Sequence, residues 1–155
     1  MKVLQRIGTV LAVSTMLAGA GATVVSSPAS AAHRCGDEFI GIPYNRSGTE
    51  LKRVSFAGRI NVKLMIAKFS GRERVFARVD GNTRAGDQVW LDWSYTGGNG
   101  WAQCGPFSVQ SNGSPNTTGA ALRTPPNKPL LVFRACGLAR SEGIGGCTSG
   151  WWPIS

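Results

Sequence analysis

Few residues in this sequence could carry acid–base, nucleophilic or metal chemistry. His33 is the only histidine, and it falls at the start of the expected mature chain, where a side chain is more often a surface group than a general base. A serine triad is therefore not expected. The sequence also holds no Gly-x-Ser-x-Gly elbow, no Gly-rich phosphate loop ending in Lys-Ser or Lys-Thr, and no His-Glu-x-x-His pair. Carboxylate chemistry needs two acids across a cleft. Asp92, two residues after Trp90 and one before Trp93, is the acid to watch, with Glu50, Glu73, Asp80 or Asp87 as a partner for glycan hydrolysis. The competing expectation pairs Asp92 with Arg78 or Lys63 across a sheet, a commonplace arrangement. The four cysteines, Cys35, Cys104, Cys136 and Cys147, lack the CxxC spacing of a zinc site. In an exported chain they read as two disulfides, for which three connectivities exist. Cys35–Cys104 with Cys136–Cys147 is the preferred one, worth about 4 and about 3 kcal/mol in the chain-entropy account. Nothing requires a cofactor or a metal.

Binding is a stronger theme than catalysis. If Ile60, Val75, Val89 and their alternates point inward, Arg59, Lys63, Phe76, Arg78 and Trp90 share the opposite face of a sheet. Aromatic rings beside cations can stack on sugars or bases while Arg and Lys take phosphate or carboxylate. The competing reading buries Phe76 and Trp90 beneath a second sheet. Trp151 and Trp152 are adjacent, so on a strand they face opposite ways: one is expected beside the Cys136–Cys147 bridge, the other exposed. A different function would come from Arg123, followed closely by Pro125, as the specificity residue of a protease-inhibitor loop. Such loops act because they are rigid before binding, and no cysteine lies between Cys104 and Cys136 to hold this one.

These residues must be positioned by strands. Residues 59–69 alternate apolar Ile60, Val62, Leu64 and Ile66 with Arg59, Asn61 and Lys63, the period of a half-buried strand. Ser70-Gly71-Arg72-Glu73 makes a turn, and Val75, Ala77 and Val79 continue in a second strand, giving a hairpin. Val89, Leu91, Trp93 and Tyr95 mark the strongest strand. A four-residue loop at Gly97–Gly100 would set Thr96 against Trp101 and Trp93 against Cys104, with Pro106 ending the next strand, bulging it or placing it at an edge. Residues 49–56, 130–136 and 148–154 supply further strands. Residues 33–48 read as an irregular arm tied down by Cys35, and 111–129 as a long loop. The Asn-x-Ser/Thr sequences at Asn45, Asn112 and Asn116 read as turns. No segment carries a helical period, so the expected fold is all-β, a small antiparallel sandwich or barrel of six to seven strands with two disulfides.

The chain has 155 residues, 42% of them hydrophobic and 16% charged, with 21 Gly and a net charge of +9. Dinucleotide folds and α/β barrels need more chain. Lys2 and Arg6, the apolar run to Val25 and the small residues Ala29-Ser30-Ala31 form an expected signal peptide over 1–31, leaving one secreted domain over 32–155 that carries +7. The Ala-Ser-Ala-Ala end of that signal, Arg134-Ala135-Cys136-Gly137 and Cys147-Thr148-Ser149-Gly150-Trp151-Trp152 together resemble the small secreted proteins of actinomycetes. The resemblance implies an exported, disulfide-bonded, β-rich product of a Gram-positive bacterium and transfers no catalytic residue. The expectation is thus a monomeric, non-enzymatic secreted protein without a membrane anchor. It would bind an anionic or carbohydrate polymer of the cell wall, with nucleic acid only an adventitious ligand.

Overall fold

A computed structural model of the chain describes residues 35–153 apart from 124 and 126. The signal expected over residues 1–31, and His33, lie outside them. Among the described residues there is no helix and there are ten strands: β1 (Thr49–Phe56), β2 (Ile60–Phe69), β3 (Arg72–Gly81), β4 (Gln88–Ser94), β5 (Ala102–Ser108), β6 (Asn116–Thr117), β7 (Ala121–Leu122), β8 (Val132–Ala139), β9 (Ile144–Cys147) and β10 (Trp152–Pro153). Seven of them have four residues or more, and the other three are two-residue pieces. They form two antiparallel sheets. The first runs β1-β2-β3 and then β6 and β7, both on β3; the second runs β10-β8-β4-β5, with β9 also on β8.

The period-two pattern decides which side chains meet between the sheets. Ile60, Val62 and Leu64 of β2, Val75, Ala77 and Val79 of β3, Val89 and Leu91 of β4, and Phe133 and Ala135 of β8 are buried in one shared core. The β2–β3 turn is two residues, Ser70-Gly71, both at positive φ (49° and 77°), which matches the twist of the flanking strands and sets Phe69 opposite Arg72. The strand therefore starts two residues into the expected turn, at Arg72.

Both expected disulfides are present. Cys35–Cys104 ties the N-terminal arm to β5, and Cys136–Cys147 links directly paired residues of the β8–β9 hairpin. An oxidising environment suits this pairing, and among the described residues no helix is long and apolar enough to cross a membrane.

Three expectations need correction. The β4–β5 register is slipped by two residues, with Trp93 opposite Ala102 and Leu91 opposite Cys104. The cause is a wider loop: Ser94 Oγ accepts from the backbone N–H of Thr96 and of Gly98 and donates to the Gly100 carbonyl, drawing Tyr95–Trp101 out of the ladder. A slip of two preserves the faces, so Cys104 stays inside. The polar stretch 111–129 is not one free loop, because β6 and β7 pair with β3 and Ala120 exchanges backbone hydrogen bonds with Ile40. Finally, β9 lies in what reads as a Gly-rich connection; Gly145 and Gly146 leave no side-chain alternation to detect.

Candidate functional site

The outer face of the first sheet carries three of the five residues expected to form a platform, Lys63, Phe76 and Arg78, and it is closed. Phe76 is fully buried, packed with Met65, Ile42 and Ala120 and edge-on to Phe69. Its cover is not a second sheet but the N-terminal arm, held by the Ile40–Ala120 bridge and by hydrogen bonds from Arg78 to the carbonyls of Asn45 and Arg46. Lys63 and Arg78 both bond Asp80, at 2.9 and 3.1 Å. Burial pushes the Asp80 carboxyl up, but the bonds from Lys63 and Arg78 outweigh this and leave it below its ordinary value.

Arg59 sits apart from the platform, in the turn before β2, and points between the sheets. Its guanidinium makes a two-point pair with Asp87 at 2.6 and 2.9 Å and a second pair with Glu142 at 2.6 Å. Asp87 is buried, which alone would raise its pKa; the bonds from Arg59 and from the backbone N–H groups of Arg84 and Arg140 lower it overall. The bonds from Arg59 and Ser141 hold Glu142 down to about 2. These cations are engaged by the protein's own carboxylates and carbonyls, with side chains no more than 16% exposed.

Trp90, the fifth residue, lies on the other sheet. Val89, Leu91 and Trp93 of β4 face the core, so Trp90 and Asp92 face out from the second sheet. Register places Asp92 between Arg134 on β8 and Gln103 on β5, and Trp90 opposite Cys136. Arg134 is therefore the ion partner of Asp92, through Nε at 2.9 Å and Nη2 at 2.8 Å to the same oxygen. The expected partners Arg78 and Lys63 belong to the opposite sheet, which corrects that pairing.

Arg134 is also wedged between two indoles. Its guanidinium carbon lies 4.9 Å from the Trp101 ring centre and 4.5 Å from that of Trp151, and the rings are 6.2 Å apart, tilted by 54°. Each contact is a cation–π attraction of about 0.5–2 kcal/mol, and a planar guanidinium suits this stacking better than an ammonium. Trp151 seats directly on the β4–β5 loop at Gly98, whose positive φ of 102° and lack of Cβ make room for the indole. Trp151 therefore packs on Gly98 and Arg134. Trp101 remains 58% exposed, and Trp152, with Lys52 over its ring, 36%. With Nε and Nη2 committed to Asp92, Arg134 Nη1 has no hydrogen-bond partner among the described residues.

Asp92 is 2% exposed, and its Oδ1 is buried without a hydrogen-bond partner among the described residues. Burial pushes its pKa above the ordinary aspartate value, and the Arg134 bond and charge oppose this only in part. Its other oxygen, Oδ2, lies 3.4 Å from Cys136 Sγ, and the carboxylate and both sulfurs of the disulfide cluster within 4.8 Å. The sulfurs are bonded to each other, so this cluster has no thiolate to offer a metal. A paired carboxylate sealed from solvent is poorly placed to act on a glycan.

Arg123 follows β7 and pairs with Glu73. Backbone pairing at Ala121 and Leu122, rather than a cysteine, anchors that segment to β3. The residues that sequence reasoning missed are Trp101, Gln103 and Arg134. Arg134 was detectable as the polar member of an alternating β8 and Gln103 as an outward position of β5, but nothing local marks Trp101 as their neighbour. No family model matches the chain, and no curated protein and no solved structure matches it either.

Proposed function

We propose that this chain is a secreted, non-enzymatic binding protein for an acidic polysaccharide of the cell envelope. The ligand lies on the outer face of the second sheet. The observation that carries this reading is the Trp101–Arg134–Trp151 stack, with exposed indole and a guanidinium Nη1 that has no hydrogen-bond acceptor among the described residues. A pyranose ring presents an apolar face that packs on indole, and a uronate carboxylate accepts a charge-assisted hydrogen bond from guanidinium. Asp92 fixes the guanidinium from behind, so little ordering is left for the moment of binding. Trp90 and Gln103 extend the same face. The net charge of +7 over residues 32–155 favours approach of a polyanion.

The test is affinity electrophoresis through gels containing polygalacturonate, with neutral dextran as control. Retention by polygalacturonate should fall with added salt and drop with Arg134→Ala, while dextran retards the protein little. Retention that ignores both salt and Arg134→Ala would sink the reading.

A further inference from the structure

Next to this face the chain has two clefts that share one residue. One, of about 330 Å³, is lined by Trp93–Thr96 and Asn99–Ala102, and so includes Trp101. The other, of about 490 Å³, is lined by Tyr95, Asn127, Lys128, Pro129 and Leu130. Tyr95 belongs to both and forms the ridge between them.

The second cleft is a held structure. Gly97 N–H donates to the Leu130 carbonyl at 3.0 Å, tying the 127–130 turn to the β4–β5 loop, and Leu131 N–H donates to the Lys128 carbonyl at 3.0 Å. The Tyr95 ring packs edge-on to Trp93 at 5.1 Å, and its hydroxyl donates to Glu38. The Lys128 ammonium stands 5.0 Å above the Tyr95 ring and 3.5 Å from Glu38. Leu130 is 57% exposed and Tyr95 41%. The second cleft thus offers an exposed aromatic face, a cation against it and the Asn127 amide alongside, while the first is bounded by Trp101, whose ring carries Arg134.

Resting on the reading above, we infer that the polysaccharide crosses the Tyr95 ridge and occupies both clefts, so that the protein recognises an internal stretch of several acidic sugars. Trp101 and Arg134 form one subsite; Tyr95, Asn127, Lys128 and Leu130 form the other. Two linked subsites make the second contact intramolecular, so affinity must climb with ligand length until both are filled.

Titration calorimetry with purified oligogalacturonates of two to eight residues tests this. Affinity of the full protein should rise about tenfold or more across the series, one subsite contact of about 1.4 kcal/mol corresponding to tenfold. Lys128→Ala and Leu130→Ser, both at exposed positions, should flatten that rise and leave the shortest ligand's affinity within about twofold. Trp101→Ala should weaken every length. Length-independent affinity, or a length dependence that survives both cleft variants, overturns the two-subsite inference and leaves the single site standing. No binding at any length overturns both.

Discussion

The outer faces of the two sheets begin from the same pattern, cationic and aromatic residues alternating with a buried apolar row, yet they end in opposite states. On the first sheet, the arm carrying Ile40 and Ile42 lies across Met65 and Phe76, and Lys63 and Arg78 are neutralised by Asp80. On the second sheet, no arm among the described residues crosses the Trp101–Arg134–Trp151 stack, and Trp101 stays open. The cations of the first face are consumed in folding, whereas the guanidinium of the second is held ready by one acid and two rings. Residue type therefore says less about function than whether a neighbour has already used the side chain.

That contrast can be broken experimentally. The largest effect expected is on stability: Phe76→Ala should cost about 3–5 kcal/mol, as for other buried aromatic truncations, with polysaccharide affinity preserved in the folded fraction. A shift in the denaturant midpoint at constant slope measures it, and loss of binding without loss of stability would reverse the roles of the two faces. Next comes Trp101→Ala, expected to weaken binding about 10- to 30-fold, in the range of a central aromatic anchor. Its cost in stability should be small, since the ring is largely exposed.

Acid should separate the faces by sign. Glu142, Asp87 and Asp80 are held below their ordinary values, so their contribution to stability is full above those values and is lost as pH falls through the folded ones; for Glu142 the window runs from 4.5 to about 2. Asp92 works the other way, because keeping its buried carboxyl ionised costs stability above its folded value and acid relieves that cost. Acid titration of Arg59→Ala should therefore show a flatter loss between pH 4.5 and about 2 than the parent chain. The smallest effects belong to Lys63→Ala and Arg78→Ala, each changing affinity by less than about twofold, because an internally paired charge adds little to a distant ligand. A tenfold loss from either would restore the first face as the site.

The strands themselves were legible because a half-buried strand must alternate, as Ile60, Val62 and Leu64 do with Asn61 and Lys63, and as Val89, Leu91 and Trp93 do around Trp90 and Asp92. The two disulfides were legible from count and compartment. The Gly-rich β9 was not, since Gly145 and Gly146 carry no side chains to alternate, and the β4–β5 register was missed because Ser94 turns its hydroxyl into the loop. Of the residues expected on the platform, only Trp90 lies on the open face; Asp92, singled out for catalysis, lies there as the acid that positions Arg134.

By itself the sequence determined which side chains face inward and that four cysteines join in pairs, because both follow from local period and simple chemistry. Tertiary structure alone decided that the arm closes Phe76 away and that Trp101, Arg134 and Trp151, from three separate segments, meet over Asp92. Coverage and convergence depend on how sheets and connections pack in space, and no one-dimensional period records that.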